Sequence, residues 1–328
     1  MTQTTEADAL FDEADAYQGD PVQPDLDQPT PISLIAALTR PNRELRVTRL
    51  IQQAHDIYED GIAVHLEGRE LVASCLLWSG GNDSTVLAHM FRHIATTAIH
   101  ANTGIGIEET RQFVRDTCKA WGLPLLEKKT PVDYRQQVIE NGFPGPGLHY
   151  LYYQKLKELA LDAARRDLLT NNRKQRLVFI AGRRRQESAR RSKTDGLNGP
   201  KVPIHERDGS AIWVSPLVMW TSLDMNTYRL MHPDVPRNQV SDVLHMSGEC
   251  LCGAYAHPGE LDEIGYWFPE MKAEIEALEV EVRAAGNVPE QFCTWGHGLG
   301  TPSVSGRLCS SCDTRFIPGQ TDILEAIA

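Results

Sequence analysis

The stretch Leu71 to Thr85, LVASCLLWSGGNDST, restricts the fold of this chain more than any other. An apolar run of strand length passes into a pair of glycines and then into an amphipathic segment, Val86 to Ile94, so it reads as buried strand, tight loop and helix start. Gly80 and Gly81 can adopt backbone angles that turn successive N–H groups inward, Ser79 and Ser84 add hydroxyls, and the helix behind them presents its positive end. Phosphate oxygens are the natural guest. Ser79, Gly80, Gly81, Asn82, Asp83 and Ser84 are therefore the first candidate binding residues. An ordinary strand-to-helix turn would explain a lone Ser-Gly-Gly, but it explains the full SGGNDS less well.

From Leu71 to Arg191 strand-like and helix-like segments alternate, which predicts an α/β fold: a doubly wound, mostly parallel sheet with helices on both faces. Strands are expected at Leu71–Trp78, Ala98–Ala101, near Leu125 and at Leu177–Ala181. Helices are expected at Pro41–Glu59, Thr85–Ile94, Glu108–Trp121, Val132–Glu140, Tyr150–Leu168 and Pro269–Ala284, and a hairpin at Lys201–Trp213 turning at Arg207-Asp208-Gly209. In such sheets ligands sit beyond the carboxyl ends of the strands, which is where the glycine loop falls. The reading divides the chain into an acidic disordered tail at 1–30, a nucleotide-binding α/β domain at 31–245 and a small Cys-rich module at 246–328.

A chain of 328 residues can bury a sizeable core. Its longest uncharged apolar run, Leu71 to Trp78, is far shorter than the ~20 residues of a membrane helix, and no signal-like leader opens it, so the expectation is a cytoplasmic protein with no membrane partner. A net charge of −11 discourages indiscriminate nucleic-acid binding. Base is nevertheless concentrated between Arg165 and Arg207, which suggests a local anionic ligand.

At SGGNDS the chain resembles the adenine-nucleotide alpha-hydrolase-like enzymes with an SGGxDS pyrophosphate loop; no Gly-Lys-Ser or Gly-Lys-Thr follows, so it is not a Walker loop. His100-Ala-Asn-Thr-Gly104 with Glu108-Glu-Thr110 resembles the Asp-Thr-Gly and Glu-Thr of the phosphoadenosine-phosphosulfate (PAPS) reductase family, with Asn102 where that family usually has Asp. Ala181-Gly-Arg-Arg-Arg-Gln-Glu-Ser-Ala-Arg-Arg191 is similar to the family's arginine motif, best at Arg184, Glu187, Ser188 and Arg191. Pro216-Leu217, Trp220-Thr221, Asp224, Tyr228 and Pro236-Arg-Asn238 follow in the family's order. The resemblance implies an ATP- or PAPS/APS-like adenine-nucleotide ligand touching Thr103, Gly104, Arg184, Glu187, Ser188 and Arg191 as well as the loop, with magnesium a further candidate.

Seven cysteines in a cytoplasmic chain argue for metal or thiol chemistry. Cys75 lies in a strand and Cys118 in a helix, and both are assigned to packing. Cys250-x-Cys252, Cys293 and Cys309-x-x-Cys312 put five thiols in one module, and four of them are expected to bind one metal centre; the thiols alone permit an iron–sulfur cluster or zinc, and the family resemblance implies iron–sulfur.

Two reactions fit this frame. In the first and preferred one, ATP is cleaved at its alpha phosphate and an acceptor, either nucleic acid or a sulfur carrier, is adenylated before sulfur insertion. The second is reduction of a sulfonucleotide by a thiol, with release of sulfite. Asp83, Arg184, Arg191 and Cys250 are the candidate catalytic residues. A third reading, of a different class, is a non-catalytic nucleotide-binding, metal-stabilised interaction protein.

Overall fold

The computed structural model of the chain describes residues 17–187 and 202–297. A short helix α1, Ile32–Ala36, precedes α2, Arg40–His65, whose first turn accommodates Pro41 because no helical N–H is needed there. The strand expected at Leu71–Trp78 is β1, Glu70–Leu77. It is followed by α3 (Asn82–Phe91), β2 (Thr97–Asn102), α4 (Glu108–Trp121), β3 (Leu125–Lys129) and α5 (Tyr134–Asn141). The long helix expected next is instead α6 (His149–Tyr153), a π-helical turn (Gln154–Glu158) and α7 (Leu159–Leu168). Then come β4 (Gln175–Ala181), the hairpin β5 (His205–Asp208) and β6 (Ala211–Val214), α8 (Ser222–Met231), α9 (Gln239–Leu244), α10 (Glu260–Trp267) and α11 (Pro269–Ala285).

The six strands form one sheet in the order β3-β2-β1-β4-β6-β5. All neighbours are parallel except β5 with β6, so the mostly parallel α/β sheet expected from the sequence is what the chain forms. Successive side chains of a strand face opposite sides, and both sides here are apolar. Leu76, Val178, Ile180, Ile212 and Val214 pack with α2, α3 and α8 on one side, while Ala73, Cys75, Leu177, Phe179 and Ala211 pack with α7 on the other. A third apolar cluster joins Ile105, Ile107, Tyr134, Val138, Tyr152 and Val240 to Leu251, Cys252, Ile264, Ile275 and Trp295.

The chain leaves β1 to pair β2 on one side and returns as β4 on the other. β1 and β4 stay paired to their carboxyl ends, Leu77 beside Ala181, and the connections that leave them lead to opposite halves of the sheet, which makes this the switch point where such sheets bind ligands.

Residues 17–30, expected to belong to a disordered acidic tail, are pinned down. The Arg46 guanidinium is fully buried against Asp224, at 2.8 Å and 3.3 Å, and also reaches the Pro21 carbonyl and the Thr30 hydroxyl. Arg185 Nη1 donates to the carbonyls of Leu26 and Asp27, and Gln186 to that of Thr30. Composition shows that this segment is poor in large apolar residues; it does not show that distant buried cations are waiting for its carbonyls.

Candidate active site

Gly80 takes φ +78°, where a side chain would be strained, and a Cβ there would lie 2.6 Å from Thr110 Cγ2. Gly81 caps α3, so Asn82, Asp83 and Ser84 form the helix's first turn and the helix begins earlier than the expected Thr85. Its carbonyl accepts the Thr85 N–H at 2.9 Å and the hydroxyls of Ser84 and Thr85 at 3.0 and 2.8 Å. Ser79 and Ser84 hydroxyls lie 3.2 Å apart. The Gly80 carbonyl is held from the other side by Asn238 Nδ2 at 2.9 Å and Ser241 Oγ at 3.2 Å. With its carbonyls tied back, the loop is left with the N–H groups at the start of α3, the end of a helix that favours anions.

Guanidinium groups flank this loop. Arg184, almost fully buried after β4, donates from Nε to Asp83 Oδ2 at 2.6 Å. Arg229, on α8, reaches the Asn82 carbonyl and side-chain oxygen at 3.4 and 3.2 Å. Arg183 and Arg185 turn elsewhere, the first over the Trp213 ring and the second to the 17–30 segment. Glu187 ends a short 3-10 turn on the same stretch. Ser188 and Arg191 lie outside the described residues, as do Cys309 and Cys312.

The expected strand-end residues are spread over distinct jobs. Asn102 donates to Glu127 Oε1 at 2.8 Å and accepts the Gly104 N–H at 3.0 Å. An Asp here would set carboxylate against carboxylate, because Arg115 already holds Glu127 ionised, its carboxyl pulled down to about 2. Gly104, exposed at φ +78°, lies at the rim. Thr103 is buried, and both its N–H and its hydroxyl go to Glu249, at 2.9 and 2.6 Å.

Glu249 belongs to a segment that the sequence did not place here. Ser247 approaches Gly81, where a Cβ would be 3.1 Å from the serine's own, and its carbonyl accepts the Thr110 hydroxyl at 2.7 Å. The Ile107 N–H bonds to the Gly248 carbonyl and the Leu251 N–H to the Ile105 carbonyl, each at 2.8 Å. This docked segment carries Cys250 to the carboxyl edge of the sheet.

The thiols differ sharply. Cys250 is pulled down to about 6, chiefly because the Cys252 thiol donates a hydrogen bond to it, with Lys157 charge assisting and burial opposing. Cys252, as that donor and deeply buried, is pushed up well above the usual thiol value. Burial pushes Cys75 and Cys118 up to about 12, as expected of packing residues. Cys293 is also raised, by burial first, and its thiol lies 3.7 Å from the Pro289 carbonyl. Among the described residues no three ligand-type side chains gather into a metal site, so Cys293 does not join the Cys250–Cys252 pair. His297, once near the expected ligands in sequence, faces the Phe143 carbonyl at 2.8 Å.

Sequence reasoning missed the long-range parts: Arg229, Glu249, His100, Lys157 and the loop-holding role of Asn238. His100 and Asn238 lie in stretches singled out for their family resemblance, but nothing in the sequence assigned either its partner.

The model of the phosphoadenosine phosphosulfate reductase domain matches residues 73–242. An adenosine 5'-phosphosulfate reductase of Mesorhizobium japonicum is 27% identical over 215 residues, 63% of this chain and 78% of the relative. One of Oceanobacillus iheyensis is 25% identical, covering 69% of this chain and 85% of the relative. Among solved structures, a PAPS reductase of Candida auris in a phosphate complex aligns with TM-score 0.39 and 16% identity, over 63% of this chain and 92% of that one. An FMN adenylyltransferase of Candida glabrata with FAD and inorganic pyrophosphate aligns with TM-score 0.42 and 12% identity, over 71% of this chain and 69% of that one. Among the described residues no helix is long and apolar enough to cross a membrane.

Proposed function

This chain belongs to the phosphoadenosine phosphosulfate reductase domain family, and from that premise we propose that it reduces a sulfonucleotide of the adenylyl sulfate type, using the Cys250 thiolate as nucleophile. One observation carries the reading. The segment bearing the described thiol with the lowest pKa is bonded to Thr103 and Thr110 and lies against Gly81 of the phosphate loop.

The loop and the start of α3 would take the phosphate oxygens, Arg184 and Arg229 would keep the helix start in place, and the sulfo group would extend toward Cys250. Attack by the thiolate forms a sulfur–sulfur bond and breaks the sulfur–oxygen bond to adenylate, which leaves as AMP. The Cys252 thiolate, once its proton is given up, attacks Cys250 sulfur; sulfite leaves with the bonding electron pair and a disulfide remains. The substrate sulfur gains two electrons from the dithiol, which an external dithiol reductant restores. The relatives, named as adenylyl sulfate reductases, support this order over the preferred sequence expectation of ATP cleavage, which needs no thiol.

Purified protein supplied with adenylyl sulfate and a dithiol reductant should release sulfite and AMP. Pyrophosphate release from ATP, with no sulfite from adenylyl sulfate, would instead establish the ATP reaction. A second reading is favoured by the contact of the Cys250 and Cys252 thiols: the pair joins Cys309 and Cys312 in a four-thiolate iron–sulfur or zinc centre. The described donors supply half of such a set. Metal analysis of anaerobically purified protein tests it, and a stoichiometric metal would remove Cys250 from the role of nucleophile.

A further inference from the structure

The Glu249 and His100 side chains are each only 1% exposed, and the Glu249 carboxylate is surrounded by donors. Oε1 accepts the Thr103 N–H at 2.9 Å, Oε2 faces His100 Nε2 at 2.9 Å, and Arg111 Nε lies 3.5 Å away. His100 Nδ1 faces the carbonyl of Trp78 at 2.8 Å. A carbonyl can only accept, so Nδ1 carries a proton. Nε2 faces a carboxylate, so a further proton is shared between Nε2 and Oε2. A continuous bonded line thus runs from Trp78, immediately before the glycine loop, through His100 and Glu249 to Thr103.

This line also sets a register. The Glu249 carbonyl sits so close to Gly106 that a Cβ there would lie 2.4 Å from it, and Ile105 and Ile107 bond on either side. Sliding the segment by one residue would put Gly248 or Cys250 where the carboxylate stands and leave buried donors without an acceptor. We infer that Glu249, acting with His100, is the positioning residue that seats Cys250 over the nucleotide loop. The inference rests on the reading of Cys250 as the reacting thiol. Neither Glu249 nor His100 touches substrate; both act through the placement of Cys250.

The test uses the full chain, AMP as probe and iodoacetamide labelling of Cys250 read by peptide mass spectrometry. In the unmodified protein, saturating AMP should slow labelling by about tenfold, because Cys250 faces the occupied site. Glu249→Ala should bind AMP within about twofold of the unmodified affinity, yet lose most of that protection and lower kcat for sulfite release about tenfold with little change in KM. His100→Leu removes the same bond from the other side and decides the matter if Glu249→Ala does not fold. Full protection and full kcat in the folded variant would overturn the inference, as would AMP that binds the unmodified protein without slowing Cys250 labelling. Failure of the parent reading looks different: Cys250→Ser would continue to release sulfite, or AMP would not bind at all.

Discussion

The glycine loop and the Cys250 segment lie against one another at the same edge of the sheet, yet they are built in opposite ways. The loop, Ser79–Ser84, takes its path from its covalent neighbours, a buried strand before it and a helix after it, and Asn238, Arg184 and Arg229 only brace that path. Segment 247–251 has no regular secondary structure, and its described bonds go mainly to His100, Thr103, Ile105, Ile107 and Thr110, more than a hundred residues earlier, with Trp295 holding the Leu251 carbonyl from the other side. On the proposed reading the site divides its labour: local structure would bind the phosphates and long-range bonds would deliver the thiol. Substitutions in the two halves should therefore fail differently.

The sharpest break comes from Cys250→Ser. It should lower sulfite release by at least about a hundredfold, since no other described thiol is both lowered in pKa and docked at the site, while AMP binding stays intact. Cys118→Ser should leave both unchanged. Gly81→Val should instead abolish AMP binding measured by calorimetry, and sulfite release with it: a Cβ at Gly81 already meets Ser247 at 3.1 Å, and the branched side chain adds bulk where the helix start would meet the phosphate. Undiminished AMP binding by Gly81→Val would mean that the nucleotide lies elsewhere.

These two outcomes track what the sequence makes legible. Alternating faces, glycine placement and strand-to-helix order are local, so β1, the loop, α3, α4 and β4 could be read within a few residues. The Arg46–Asp224 bond spans residues 46 to 224 and the His100–Glu249 bond residues 100 to 249, and no periodicity encodes such pairings. The same reason explains why composition reads 17–30 as a tail and why nothing local ties Glu249 to His100. The thiols were visible as a group, but not that Cys250 and Cys252 would adjoin while Cys293 turned to Pro289.

An intermediate effect should separate the arginines. Arg184→Ala removes the partner of Asp83 in the first turn of α3 and should weaken nucleotide binding by ~1.5–3 kcal/mol, the value of a hydrogen bond to a charged group. Arg165, which pairs with Asp162 on its own helix, should be replaceable by Ala with little change. Equal losses from both would reduce the loop's selectivity to general positive charge.

The smallest and most diagnostic effect is one of pH. Cys250 is lowered to about 6, so its alkylation rate should be half-maximal there, near its plateau by pH 7, and fall about tenfold by pH 5 as the thiolate is protonated. Cys293, raised above the ordinary value, should still be gaining reactivity at pH 9. The larger cause of the Cys250 shift is the hydrogen bond from Cys252 and the smaller is the charge of Lys157, so Cys252→Ala should move the midpoint upward further than Lys157→Gln. Replacing Cys252 by Ser restores a donor and should recover part of the shift. A midpoint at the ordinary thiol value in the unmodified protein would take away the electrostatic basis of the nucleophile. Alkylation that begins only after treatment with a chelator would show both sulfurs engaged with a metal, and the two halves of the site would then be a binding loop and a metal centre.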